Sequence, residues 1–199
     1  IKPFLNPNHP LILKSFPIAL GDSYKSYRII GSTLSYLEWN NLSLKEGRWF
    51  KNNFEIIIGS SLAIKDKIKL NDTIFSNHGL TNSELNTHHD HGLIVVGILN
   101  EKKNIFDKLI YTPISTYWKE HDHNLSEIDS TDSLSSKNDL AIHNEDLLNS
   151  DREISSVLIK FRGNNIQTLN FARNINENSK LMAVNPAIEI SRLYSITNS

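Results

Sequence analysis

Histidines are the residues of this chain best suited to chemistry, because six of the eight fall between positions 78 and 123. Neutral imidazole, together with carboxylate, is a ligand that suits zinc, copper and nickel. Two pairs of these histidines have i, i+2 spacing, which puts both members of a pair on one side of an extended segment. The candidate metal ligands are His78, His88, His89, His91, His121 and His123.

A tight zinc site needs three or four ligands that converge. If the strands at 92–99 and 105–112 form an antiparallel hairpin, His91 lies beside the end of the second strand near Thr112. A short helix after Pro113 can then return His121 to the same rim. Zinc is therefore the one cofactor that the sequence suggests. The plain alternative, a solvated His-rich loop with adventitious metal affinity, stays open.

Other catalytic chemistry finds little support. The sequence has no Gly-x-Ser-x-Gly elbow, no His-Glu-x-x-His zinc helix and no glycine-rich dinucleotide fingerprint. Gly59-Ser60-Ser61 follows a predicted strand but lacks the second glycine, and a helix cap explains these serines more simply. The absence of cysteine excludes disulfides, thiolate metal sites and cysteine nucleophiles. We therefore predict that the chain is not an enzyme.

Composition predicts a folded protein with no charged surface for nucleic acid. The 199 residues are 39% hydrophobic, which is enough for a sizeable core. The formal net charge of -1 gives no field that would hold nucleic acid or an anionic bilayer. No run approaches the roughly 18 to 20 apolar residues that cross a bilayer. Because the chain begins at Ile1 without a leader-like segment, we expect a piece of a longer protein whose membrane helices lie elsewhere.

Three tryptophans are candidates either for the core or for a groove that holds an apolar ligand, since aromatic side chains with one polar atom favour interfaces. Trp49 is predicted to lie in the core. For Trp39 and Trp118 both interpretations stay open.

Apolar runs bounded by turn residues predict the strands. A turn at Gly21-Asp22-Ser23 is predicted to join the first two, and 92–99 with 105–112 is predicted to form a hairpin. Pro113 is predicted to end the second strand of that hairpin. The predicted strands span 11–18, 27–33, 54–58, 73–75, 92–99, 105–112, 154–161 and 181–184.

Helices are predicted from capping residues and from apolar residues on one face. Asn165 is expected to cap a helix over 166–175, and Asn185-Pro186 is expected to start the last helix. Shorter helices are predicted within 36–44, 60–64 and 115–120. The stretch at about 121–152 reads as a polar, acidic insertion, poorly ordered or folded only on a partner. The C-terminal third is predicted to be βαβα, and the whole chain to be an α+β protein.

Five short motifs stand in the order and at the spacing of one protein family. They are Gly-Arg-Trp-Phe at 47–50, a strand ending in glycine at 56–59, Leu-Ala at 62–63, Val-Val-Gly-Ile-Leu at 95–99, and Asp-x-x-Ile-Tyr-x-Pro at 107–113. In this order they resemble the extracytoplasmic domain of MacB/FtsX-type ABC transporter permeases. The resemblance covers roughly residues 24–195, outside the acidic insertion. The turn at 70–72, Leu-Asn-Asp, departs from the pattern, because the family more often has glycine there.

The resemblance implies a two-lobed α+β fold over residues 1–199, with βαβ-type units in one lobe and a smaller sheet-rich lobe. It implies a place on the periplasmic face of the bacterial inner membrane, in a membrane-anchored permease. The implied partners are a cytoplasmic ATPase subunit, a second permease copy and a periplasmic or outer-membrane protein. The implied role is to bind cargo or partners and to transmit ATP-driven motion for export or extraction of a lipoprotein, peptide or small molecule. The alternative role is zinc or other transition-metal handling by the histidine tract.

Overall fold

The computed structural model describes residues 2–78, 92–121 and 154–197. The helices there are α1 Lys2–Leu5, α2 Leu34–Trp39, α3 Ser60–Lys65, α4 Ile114–His121, α5 Ile166–Leu169, α6 Phe171–Asn178 and α7 Pro186–Thr197, with a 3₁₀ helix at Ile105–Lys108. The strands are β1 Ile12–Tyr24, β2 Tyr27–Ser32, β3 Leu44–Gly47, β4 Glu55–Ile58, β5 Thr73–Ile74, β6 Asn77–His78, β7 Leu93–Leu99, β8 Leu109–Pro113 and β9 Ser156–Phe161. The predicted α+β class is confirmed.

All nine described strands join one mixed sheet in the order β3-β7-β4-β8-β2-β1-β6, with β5 on β7 and β9 on β1. β4 lies between β7 and β8, parallel to β7 and antiparallel to β8. The predicted hairpin of 92–99 with 105–112 is therefore wrong. β7 and β8 are each buried on both faces, so their apolar sequences fit a central position in the sheet. These sequences do not reveal that β4 lies between the two strands.

The turn predicted at Gly21-Asp22-Ser23 is also wrong, because β1 runs through it. The chain reverses between the end of β1 and the start of β2, where Lys25 adopts a φ of 52°. The β1–β2 register shifts inside the predicted turn: Leu20 pairs with Ile30, but Ser23 pairs with Arg28. One extra residue on β1 in this interval makes a β-bulge. Glycine followed by aspartate is a turn signal in sequence, and here it marks the bulge.

The turn at 70–72 contains no glycine, but one of its residues has a left-handed backbone conformation. Asn71 has a φ of 67°, and asparagine tolerates this region better than most residues. The Asp72 carboxylate accepts a hydrogen bond from the Lys69 amide at 2.8 Å. Asparagine therefore adopts here the conformation for which glycine is the usual choice.

The described chain divides into two compact units, Ile1–Asn6 with Ser15–Leu158 and Pro7–Lys14 with Ile159–Ser199. In the first unit, alternation along the strands supplies two separate apolar clusters. Ile57 of β4 belongs to one cluster, whereas Ile56 and Ile58 belong to the other. The first cluster includes Phe16, Ile30, Leu37, Phe50 and Tyr111, and the second includes Ile29, Leu62, Val95, Ile98 and Ile110.

In the second unit, Asn165 caps α5 as predicted. The Asn165 side chain accepts a hydrogen bond from the Thr168 amide, and the Thr168 hydroxyl accepts one from the Asn165 amide, both at 2.9 Å. The single helix predicted over 166–175 is instead divided at Asn170, which ends α5 and precedes α6.

Residues 181–184 do not form the predicted strand. The Asn176 side chain takes the place of a strand partner, because its amide donates to the Ala183 carbonyl at 2.8 Å and its oxygen accepts from the Ala183 amide at 2.7 Å. The described part of the C-terminal third, residues 154–197, is thus one strand followed by three helices, and not the predicted βαβα. The start of α7 is as predicted, since the Asn185 side chain accepts a hydrogen bond from the Ala187 amide at 3.1 Å.

Gly47 at the end of β3 is expected to resist substitution. Its φ is +80°, and a Cβ there would collide with the Val96 carbonyl oxygen and lie 2.8 Å from Leu70 Cδ2. We expect Gly47→Ala to lower the free energy of unfolding by about 2 kcal/mol or more, measured by urea denaturation.

The matched control is Gly163→Ala, because a Cβ at Gly163 meets nothing within 4 Å. We expect this variant to change stability by less than about 0.5 kcal/mol. Equal stability of the two variants would contradict the account of Gly47.

Candidate functional site

The structure places the backbone of two of the six predicted metal ligands. His78 ends β6 and lies opposite Asp22 of β1, and His121 is the last residue of α4. His88, His89, His91 and His123 lie outside the described residues. The neighbourhood predicted for His91 and Thr112 depended on the hairpin, so it no longer follows. Within the described part of the chain, no three His, Asp or Glu side chains are placed to hold a metal ion.

Arg48 of the Gly-Arg-Trp-Phe motif forms a two-pronged ion pair with Glu55, the first residue of β4. The guanidinium donates to both carboxylate oxygens, at 2.8 and 2.6 Å. The same carboxylate accepts hydrogen bonds from the amides of Lys51 and Asn52 at 2.7 and 3.2 Å. Burial favours the neutral acid, but these hydrogen bonds outweigh it and lower the pKa of Glu55 to about 2.

A buried polar cluster then ties the loop before β4 to the start of α4. The Phe54 amide donates to the Thr116 hydroxyl at 2.9 Å, and the Ser115 hydroxyl donates to the Asn53 side chain. Asn53, Ser115 and Thr116 are all buried. Together with the ion pair, these bonds fix the 48–54 loop at both ends. The motif residues are therefore scaffold.

The serines that follow β4 do not act as predicted. Gly59 is the N-cap of α3, and Ser60 is already helical. The Ser60 hydroxyl hydrogen-bonds the buried Asp107 carboxylate. Burial opposes ionisation of Asp107, but the amides of the 102–104 loop and this hydroxyl prevail and lower its pKa. Because its hydroxyl is hydrogen-bonded to this carboxylate, Ser60 contributes to the structure around Asp107 and is poorly placed as a nucleophile.

The three tryptophans differ in how far they are buried. Trp49 packs against the cluster of Phe16 and Tyr111, as predicted. Trp118 is buried beside Ala19 and Ile114, so the core interpretation applies to it as well. Trp39 is 41% exposed, and its ring lies 5.9 Å from that of Phe16.

The second unit exposes a large share of its apolar side chains. No residue of α7, which the structure describes throughout, is buried. Ile166, Leu169, Met182 and Val184 are exposed as well. Exposed apolar surface of this extent is typical of contact with another molecule. We call α7 with these four residues the apolar surface of the second unit. The periodicity of apolar residues in the sequence could not distinguish this exposed surface from a face that packs in the core.

Residues 8–162 match the family model of the MacB-like periplasmic core domain. The chain therefore belongs to this family, and the resemblance seen in the motifs is confirmed. A search of curated proteins found no match.

Two solved structures are similar to the chain. The periplasmic region of MacB from Actinobacillus actinomycetemcomitans superposes with a TM-score of 0.50 at 15% identity, covering 97% of this chain and 79% of that one. The extracellular domain of the noncanonic ABC-type transporter YknZ from Gram-positive bacteria gives 0.49 at 14% identity, covering 90% and 84%. At identities this low the similarity concerns the fold alone. The MacB structure, with its TM-score of 0.50, is the one that supports it.

Family membership makes the chain an extracytoplasmic domain of a MacB-like ABC transporter permease. MacB-like domains belong to ABC transporters that work with ATPase subunits. None of the described helices has the length and apolar character needed to cross a membrane.

The Glu55 ion pair predicts a pH-dependent stability. The pKa of Glu55 is about 2 in the folded chain against an ordinary 4.5, so its contribution is fully present above pH 4.5 and is lost as the pH falls through 2. We expect Glu55→Gln to lower the free energy of unfolding by about 2 to 3 kcal/mol at neutral pH. Urea denaturation at several pH values should show the deficit shrinking below pH 4.5.

Glu101→Gln is the control, because Glu101 is exposed. Its stability should follow that of the unmodified chain at every pH. A Glu55→Gln deficit that stays constant down to pH 2 would contradict the ion-pair account.

Proposed function

We propose that this domain works by contact and motion, without catalysis, as part of a permease anchored in the bacterial inner membrane. Closing of the cytoplasmic ATPase dimer moves the membrane helices of the permease, and two copies of the domain approach or separate on the periplasmic face. That movement engages a lipoprotein, a peptide or a small molecule for export or extraction, with a periplasmic or outer-membrane protein as a further partner.

The observation that carries the proposal is the exposure of α7. Its five large apolar side chains are between 50% and 70% exposed: Ile188, Ile190, Leu193, Tyr194 and Ile196. Burial of such side chains against another surface is favourable, at about 25 cal/mol for each Å² removed from water. A helix with this surface is suited to a partner.

The charges of α7 favour a second copy of the domain as that partner. Glu189 and Arg192 are its two charged residues, and they pair with each other at 3.0 Å. The helix therefore carries no net charge, and two copies approach each other without like-charge repulsion. An apolar and electrically neutral surface is compatible with self-contact at low electrostatic cost.

Catalysis has no support from the described side chains. The serine nearest to a nucleophile motif, Ser60, is committed to Asp107. The Arg48–Glu55 ion pair fixes a loop, and the polar cluster at Thr116 joins a loop to a helix. These groups give rigidity, which a domain that transmits motion needs.

Cysteine crosslinking in the assembled transporter tests the contact. This chain has no cysteine, so Leu193→Cys introduces a unique thiol on α7. With a short bifunctional maleimide, we expect a crosslinked pair of permease copies whose yield differs between nucleotide-free and ATP-trapped states.

Ile64→Cys on α3 is the matched control, because Ile64 is also an exposed apolar residue. It should give little crosslinking in either state. Failure of Leu193→Cys to link two copies in an active transporter, or its linkage to another protein instead, would overturn the second-copy assignment. Transport that persists after removal of the whole domain would overturn the proposed mechanism.

A further inference from the structure

We infer that one end of the sheet in the first unit is a docking surface for an acidic surface of another protein. The contact proposed above for two copies is made by α7 of the second unit, so the two surfaces are independent and either one can exist without the other. Six exposed basic residues of the first unit define the docking surface, and we call them the basic end: Arg28, Lys65, Lys67, Lys102, Lys103 and Lys108.

The sheet topology brings these residues to one end. β2 and β8 are parallel, and Arg28 at the start of β2 is the register partner of Leu109, which follows Lys108. β4 is antiparallel to β8, with Ile58 opposite Ile110, so β4 ends where β8 begins. β7 is parallel to β4 and ends there too. The segments that follow β4 and β7, with their four lysines at 65, 67, 102 and 103, therefore leave the sheet beside Arg28 and Lys108.

Hydrogen bonds hold the segments of the basic end to one another. The Asp107 carboxylate accepts a hydrogen bond from the Lys102 amide at 2.8 Å and is also bonded to the Ser60 hydroxyl at the start of α3. The Gly59 amide donates to the Leu109 carbonyl at 2.9 Å. The lysine side chains thus extend from a fixed backbone, which lowers the entropy lost when a partner binds.

Few negative charges balance the basic end. Its segments, 25–28, 59–67 and 100–108, contain three carboxylates. Asp66 pairs with Lys25 at 2.5 Å. Asp107 is buried, which leaves Glu101 exposed. Among the residues that the structure describes, the ion pairs involve none of the six basic residues, so the surface carries a local positive potential.

The formal net charge of -1 hides this surface, because acidic residues are concentrated elsewhere in the chain. Residues 121–152 contain eight Asp and Glu against two Lys and Arg. The rest of the chain contains nineteen basic residues against fourteen acidic ones. Net charge alone could therefore not reveal a positive surface in the first unit.

Two exposed apolar side chains accompany the charges. Ile64 of α3 is 68% exposed, and Ile105 of the 3₁₀ helix is 62% exposed. The hydrogen bond between Ser60 and Asp107 joins these two helices. A partner that covers the isoleucines gains from burial of apolar surface, whereas exposed charge pairs alone contribute little affinity.

A protein partner fits this surface better than a bilayer or a nucleic acid does. An extended anionic surface also meets the acidic residues of a chain whose net charge is -1. A protein interface of standard size covers about 800 Å² on each partner, so it can be confined to the basic end. Two isoleucines are also much less apolar surface than an interfacial helix inserts into a bilayer. The partner is therefore a protein whose carboxylates lie opposite the lysines.

Binding of fluorescein-labelled poly-L-glutamate to the 199-residue chain tests the surface, with fluorescence anisotropy as the readout. We expect binding at low ionic strength that weakens as salt is added, because salt screens contacts between exposed charges. In a Lys65→Glu/Lys102→Glu/Lys108→Glu variant the affinity should fall by at least about tenfold, since three attractive contacts become repulsive.

The matched control is Lys14→Glu/Lys160→Glu/Lys180→Glu, which changes the net charge by the same amount at three exposed lysines of the second unit. We expect this variant to bind almost as tightly as the unmodified chain. Circular dichroism establishes that each variant is folded. Where the charge-reversed variant of the basic end does not fold, the neutral variant Lys65→Gln/Lys102→Gln/Lys108→Gln decides the question.

Three results would overturn the inference. One is sedimentation of the chain with phosphatidylglycerol vesicles without binding to poly-L-glutamate, which would assign the basic end to a bilayer. Another is the absence of binding to either probe. The third is an equal loss of affinity in the two charge-reversed variants, which would mean that net charge, and not the basic end, governs binding.

Discussion

The carboxylate of Glu55 is the group on which the centre of the sheet depends. It stands at the start of β4 and accepts hydrogen bonds from Arg48 and from the amides of the preceding loop. Since β4 lies between β7 and β8, a displaced β4 would leave one edge of each of these two buried strands without hydrogen-bond partners. One ionised and well-bonded acid thus holds the loop and the strand order together, and its low pKa reflects that bonding.

The two units differ in how they use apolar residues. The first unit buries them in clusters on alternating strand positions, and several of its interior polar groups are hydrogen-bonded within the protein, among them the Thr112 hydroxyl, which donates to the Glu55 carbonyl. The second unit leaves the apolar residues of α7 in contact with solvent. In the function proposed for this member of the MacB-like periplasmic core family, the packed first unit keeps its shape and the exposed apolar residues of α7 make the contact with a second copy.

Sequence patterns predicted elements well where the signal was local. β4, β9, α4 and the caps at Asn165 and Asn185 follow from residues next to one another, and the structure has them. The same local signals misled at Gly21-Asp22-Ser23, where turn residues mark a bulge, and at 181–184, where the Asn176 side chain replaces a strand partner. The hairpin of β7 and β8 failed for a different reason, because strand pairing is a choice among distant segments of similar apolar character.

The sequence by itself determined the family, through the order of five short motifs, and the α+β class, through hydrophobic periodicity and capping residues. It also singled out six histidines as candidate ligands, and four of them lie outside the described residues. Only the tertiary structure decided that β4 separates β7 from β8 and that β1 continues through Gly21-Asp22-Ser23 with a one-residue bulge. The physical reason is that side-chain face and strand order depend on hydrogen-bond register between segments far apart in the chain, which no local pattern of residue types encodes.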